Sequence, residues 1–195
     1  MDTWKVFLVF FGIILVLFAV FLFFSGINKN SPEKPGYLYL NNKTMICNYY
    51  YICFLRNGSW HRPSYNAGVN LILANNLEVK NETQIKQFFE QERINIIINT
   101  TEKASPENSE LILKVSPFSH YLGYYYKTIK KQNKTIEANL LSKYNWTEPA
   151  IIIFGPNLGA KENSISFDGK NIIVQGQTPS GLSLVLGKLL LIIVS

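Results

Sequence analysis

Nineteen consecutive uncharged residues, Val6–Phe24 (VFLVFFGIILVLFAVFLFF), set the strongest limit on what this 195-residue chain can fold into. As a helix rising 1.5 Å per residue, the run covers about 28 Å, close to the ~30 Å hydrocarbon thickness of a bilayer. Trp4 and Lys5 precede it, a pairing suited to the lipid–water interface. A cleaved signal peptide carries a shorter apolar region, about 7–15 residues, followed by an A-x-A-like site. Here Phe23 and Phe24 crowd the only small pair, Ser25-Gly26. Residues 1–27 therefore read as an uncleaved single-pass membrane anchor. Within it Gly12 and Ala19 share a helix face, and small residues let helices approach closely in lipid. That seam is a candidate for packing against another membrane protein.

Flanking charge barely orients the anchor. Lys5 and Asp2 stand on one side, Lys29 and Lys34 on the other. The downstream sequence is more decisive. Six N-x-[ST] sequons follow the anchor, at Asn42, Asn57, Asn81, Asn99, Asn133 and Asn145, where the composition predicts roughly two or three by chance. The excess places the remainder of the chain on the glycosylating side, outside the cell membrane.

Residues 28–36 (NKNSPEKPG) read as a linker, because Pro32 and Pro35 block regular structure. Residues 37–195 then make one extracytoplasmic domain of ordinary size. Tyr37–Leu40 and Met45–Leu55 have strand character, and Val69–Leu73 is a short apolar run. Gln84–Glu92 sets Ile85, Phe88 and Phe89 on one helical face. Ile94–Asn99 is a buried-type strand, with Glu110–Val115 expected to pair with it across a polar loop. Thr135–Tyr144 spaces Ile136, Leu140 and Tyr144 as a helix does. Ala150–Phe154 reads as a central strand. Ser164–Phe167 and Asn171–Gln175 form a hairpin around Asp168-Gly169. Thr178-Pro179 is an N-cap and N1 pair opening a last helix from Ser180 to about Ile192. That helix is apolar almost all round, too short to span a bilayer and suited to burial between layers. The expected fold is an α/β sandwich with a mixed sheet.

Cys47 and Cys53 are the only cysteines. Outside a cell, two close cysteines most simply form a disulfide. A straight strand would separate them by about 20 Å, so bridging requires Asn48–Tyr51 to turn.

The chemistry-bearing patterns are sparse. The two histidines, His61 and His120, lie in unrelated segments, and neither H-E-x-x-H, G-x-S-x-G nor a Walker A pattern occurs. The cysteine spacing suits no metal site. Gly155–Ala160 (GPNLGA) could cradle an anion, yet Pro156 removes one donor and the segment reads as a tight strand exit. No catalytic residue, cofactor or metal is expected. The net charge of +6 is spread without a basic stripe, which argues against nucleic acid and supports at most an attraction to anionic headgroups or acidic glycans. Tyr and Trp are enriched at interfaces and stack on sugars, so Tyr50, Trp60, Tyr125 and Trp146 are candidate partner contacts.

The stretch Ile151–Ile193 carries IIIFGPNLGA, then NSIS, then IIVQG, then a Leu-rich helix with Lys188-Leu189. It resembles the C-terminal ends of archaeal single-pass membrane-anchored surface proteins. The resemblance covers about a fifth of the chain and implies an archaeal envelope location. It transfers no activity and no functional residue. Together these readings point to a non-enzymatic accessory or structural subunit of a membrane or envelope complex, of translocon, oligosaccharyltransferase, surface-layer or pilus type. Its partners would be other membrane proteins and the membrane. A surface-anchored glycan- or peptide-binding protein is the alternative, and an envelope hydrolase a third reading.

Overall fold

The computed structural model describes residues 35–64, 66–100, 105–140, 147–156 and 158–195, and the folded unit runs from Gly36 to Ser195. The segment read as an anchor, with Gly12 and Ala19, most of the segment read as a linker, and Asn145 and Trp146 lie outside the described residues. Among the described residues no helix is long and apolar enough to cross a membrane.

The chain first builds a small antiparallel sheet. Its strands β1 (Leu38–Asn41), β2 (Thr44–Cys47), β3 (Tyr51–Arg56) and β4 (Ser59–His61) lie side by side in sequence order. Short turns dictate that order. Asn57-Gly58 joins β3 to β4 with φ of 48° and 76°, the two left-handed residues that a two-residue hairpin turn requires. Alternation then sorts the side chains. Ile46, Ile52 and Phe54 face the main core, while Met45, Cys47 and Cys53 form a separate cluster on the outer face under Tyr51 and Trp60.

Two short helices follow, α1 (Leu71–Asn75) and α2 (Glu82–Phe88). The Asn70 side chain caps α1 by accepting from the N–H groups of Ile72 and Leu73. Next come β5 (Arg93–Ile98), the long helix α3 (Pro106–Tyr124), a wider π-type turn (Tyr125–Lys130) and β6 (Thr135–Leu140). The chain ends with β7 (Ala150–Phe154), β8 (Ser164–Phe167), β9 (Ile172–Gln175) and α4 (Pro179–Val194). The second sheet has order β6-β5-β7-β9-β8, parallel except for β8. The domain is thus α/β, with a mixed sheet as expected and an antiparallel sheet besides.

Two expectations are corrected. Glu110–Val115 is no strand but lies within α3, over its second and third turns. Leu111, Val115, Phe118 and Leu122 recur at helical spacing and all are buried. Ser105-Pro106 opens this helix as Thr178-Pro179 opens α4, with the Ser105 hydroxyl accepting from Asn108 N–H. Thr135–Tyr144 is no helix over its described part. Ile136, Ala138 and Leu140 alternate, and β6 pairs residue for residue with β5. Parallel pairing to a central strand of isoleucines outweighed a helical spacing carried by only two described residues.

The helices lie between the sheets. One apolar core joins Ile46, Ile52 and Phe54 of the first sheet, the buried faces of α3 and α4, and Ile94, Ile96, Ile151, Ile153, Ile172 and Val174 of the second. Eleven of the sixteen residues of α4 are buried, as its all-round apolarity predicts. Its one cation, Lys188, is only 9% exposed. The ammonium donates to the Asn75 carbonyl at the end of α1 and pairs with Glu82 at 3.4 Å. A buried charge is tolerated when so partnered.

Tyr121 fastens the helices to the first sheet. Its side chain is fully buried, and its hydroxyl accepts from Ile52 N–H at 2.8 Å and donates to Ile52 C=O at 2.9 Å. Register explains the need. β4 pairs Phe54 with His61, so the residue next opposite Ile52 would be number 63, a proline without an N–H. The phenol replaces the missing strand. Tyr121→Phe removes it from both buried groups at once, and urea unfolding is expected to show a loss of about 1–3 kcal/mol with the slope unchanged.

The β8–β9 turn has a titratable fastening. The Asp168 carboxylate accepts from the backbone N–H of Asn171 at 2.6 Å and of Lys170 at 2.9 Å. The first of these bonds chiefly holds its carboxyl below the usual range. A depressed carboxylate pKa contributes stability above its unfolded value and loses it as pH falls through the folded one. Asp168→Asn should therefore lower the melting temperature at neutral pH and flatten its decline below about pH 4, so that the two proteins converge in acid.

Candidate partner-contact surface

The two cysteines are joined, as expected. Cys47 and Cys53 both face outward, on diagonal positions of β2 and β3, and their Cα atoms stand 6.0 Å apart. Asn48, Tyr49 and Tyr50 make the turn that the bridge requires. Asn48 and Tyr49 carry φ of 51° and 61°. Left-handed backbone is strained for a residue as bulky as tyrosine, and here neighbours impose it. Tyr49 N–H donates to the Gly36 carbonyl at 2.9 Å, and Tyr49 C=O accepts from Leu71 N–H at 2.7 Å.

The sequons divide by accessibility. Asn42, Asn57, Asn81 and Asn133 are exposed. Asn99 is half-buried at the end of β5, and its amide nitrogen donates to the Leu158 carbonyl at 2.5 Å. That nitrogen is the atom a glycan would need. The same contact explains the glycine segment after β7. Leu158 N–H and Ala160 N–H both return to the Gly155 carbonyl, and a Cβ on Gly155 would lie 2.7 Å from Leu111. The segment is a tight strand exit, folded back onto the Gly155 carbonyl.

The aromatic candidates also separate. Tyr50 is 44% exposed on the turn. Trp60 lies half-buried across the outer face of the first sheet, edge-on to Tyr39 at 5.7 Å. Tyr39 itself is 65% exposed and was not singled out from sequence; alternation along β1 points it outward with Trp60. Tyr125 is buried, and its hydroxyl donates to the Ile193 carbonyl. It serves packing and is withdrawn as a partner contact. Beside it, Tyr126 donates to the Phe89 carbonyl while Lys134 sits 4.7 Å over its ring. Burial chiefly raises the Tyr126 pKa, and burial also lowers that of Lys134, whose ammonium donates to the carbonyls of Phe89 and Gln91.

The histidines do not meet. His61 is exposed on β4, and His120 is exposed on α3, where its Nδ1 lies 2.9 Å from the Ser116 carbonyl. His120 borders two hollows. One, of about 430 Å³, runs between α3 with its π-type turn and β6, over Gly123, Tyr124, Lys127, Ile136 and Ala138. The other, of about 400 Å³, is lined by Tyr51, Ser64, Asn66, Ser116 and Pro117. Among the described residues neither lining includes a carboxylate. No group of three metal-ligating side chains occurs among the described residues.

The first hollow lies against an open sheet edge. Among the described residues β6 has a neighbour only on its β5 side. Thr135 N–H donates to Glu92 C=O, so alternation turns the backbone groups of Ile136, Ala138 and Leu140 outward. An unpaired edge is a template for an added strand. Sequence reasoning missed it by reading this segment as a helix; the alternation of Ile136, Ala138 and Leu140 was the available signal. Glycopeptide mass spectrometry of the native chain is expected to find glycan at some or all of Asn42, Asn57, Asn81 and Asn133 and none at Asn99. A modified Asn99 would require the β5 end to be open.

No known protein family, curated protein or solved structure matches the chain.

Proposed function

We propose that the chain is a non-enzymatic accessory subunit, tethered by its apolar leader in the cell membrane, whose outer domain engages another protein of the same envelope complex. The observation that carries the reading is the open edge of β6 beside the 430 Å³ hollow. Backbone groups along the edge supply affinity for an extended segment, and the hollow beside Ile136 and Ala138 receives its alternate side chains. Among the described residues the two histidines lie on different elements and no carboxylate lines either hollow, which favours binding over catalysis. Gly12 and Ala19 supply a second contact, within the membrane. Translocon, oligosaccharyltransferase, surface-layer and pilus assemblies of an archaeal envelope all provide such partners.

The alternative is a surface-anchored protein that binds glycan, favoured by exposed Tyr39 beside Trp60. Purification from native membranes in mild detergent separates the readings. The accessory-subunit reading expects a stoichiometric protein partner, lost in the Ala138→Pro variant, whose outward N–H lies on the unpaired side of β6 and whose melting temperature should stay close to the parent. Migration of the parent chain alone would remove the proposal. Loss of glycan retention on Tyr39→Ala, with no protein partner in the parent, would favour the alternative.

A further inference from the structure

The strained turn between β2 and β3 stands at the point where the chain leaves the domain toward its leader. Gly36, the first residue of the folded unit, accepts from Tyr49 N–H, and a Cβ on Gly36 would lie 2.6 Å from the Tyr49 ring. At the same end of the sheet are Tyr37 and Tyr50, both exposed, and Tyr51 with the Arg62 guanidinium 4.6 Å above its ring. The turn cannot swing away. The disulfide closes it, and its carbonyls at Tyr49 and Tyr50 accept from Leu71 and Ala67.

Of the three cations between Pro35 and Leu77, Arg62 lies at this end, while Lys43 and Arg56 flank the opposite turns; the stretch has no Asp or Glu, so no carboxylate of the sheet opposes an anionic surface here. The opposite end of the sheet is different in kind. Its two turns hold the exposed sequons Asn42 and Asn57, the latter about 20 Å from Tyr51 at ~3.3 Å per residue. A glycan is bulky and solvated, so that end must face water.

We propose that the disulfide-closed turn, with Tyr37, Tyr50, Tyr51 and Arg62 around it, rests in the headgroup layer of the membrane that holds the leader. Tyrosines seat at the lipid–water interface with the ring in the apolar side and the hydroxyl in the polar side, and arginine favours anionic headgroups. Residues 28–36 reach at most about 30 Å, so the turn is never far from the bilayer. The docking orients the domain with the glycan-bearing turns outermost. It rests on the reading of the leader as a membrane anchor.

The test uses the full chain in nanodiscs, with Trp4→Phe, Trp60→Phe and Trp146→Phe. A single reporter is then placed by Tyr50→Trp, or at the far end by Asn42→Trp. Lipid brominated near the headgroup is expected to quench the Tyr50→Trp reporter roughly twofold and to leave the Asn42→Trp reporter unchanged. Should Tyr50→Trp lower the melting temperature, Tyr37→Trp reports from the same end. Quenching with anionic lipid alone, or with zwitterionic lipid too, supports the docking. Equal quenching at both ends, or none at either, overturns it; none at either is what a protein occupant of the turn predicts. Alkaline carbonate extraction separates the two claims. Retention in the membrane without quenching overturns the docking alone, whereas release with quenching intact overturns the anchor and keeps the docking.

Discussion

A buried backbone N–H and C=O with no strand beside them is the constraint around which this domain is arranged. β4 stops at His61, two residues before Pro63, and leaves Ile52, which lies opposite Ile46 of β2, without a strand on its other side. An unsatisfied pair of this kind is among the costlier defects a core can hold. The Tyr121 hydroxyl meets both groups, one as acceptor and one as donor. Because Tyr121 belongs to α3, the repair also fixes how the helix crosses the sheet. Phe54 then packs on Tyr124 and Tyr125, and the core continues through α3 into the isoleucines of the parallel strands.

The second dependence runs through α4. A helix apolar on every side has no stable place on a surface, and here α1, α2 and α3 all contact it, as do β8 and β9. Its single lysine fits this setting because Asn75 and Glu82 take the charge at its edge. Gly187 has a similar logic: a Cβ there would lie 2.6 Å from Val69, so the glycine lets the loop before α1 come close.

Much of this was legible in the sequence because the relevant signals are local. The Thr178-Pro179 cap, the Asp168-Gly169 hairpin, the AIIIF strand and the turn demanded by two cysteines six positions apart each depend on a few neighbouring residues. The errors fall where one segment satisfies two periods. Glu110–Val115 is apolar enough over Leu111–Leu113 for a short strand, and only the later Phe118 and Leu122 reveal a helix. Ile136 and Leu140 suit either state, and the choice was made by β5, some forty residues earlier. The contact surface was less legible than the fold. Tyr125 resembles Tyr50 in sequence but is buried, because the π-type turn rotates it inward; Tyr39 becomes a surface feature only once the sheet gives it Trp60 as a neighbour. Tyr121, which matters most, has no sequence signal at all, since its role is set by a proline fifty-eight positions away.

The exit at Gly36 has a mechanical consequence. Any pull arriving through the residues before it enters β1, an edge strand of four residues that runs away from that exit. A load directed along the strand shears the β1–β2 ladder, which makes its hydrogen bonds resist together instead of opening one at a time. The backbone bond from Tyr49 to Gly36 passes part of the load into a turn that a covalent bridge keeps from lengthening. From that turn it travels through Leu71 into α1, and so into the part of the core that α4 holds closed. A pull on the chain at Gly36 is thereby borne by the interior of the domain, although the chain leaves it at an edge.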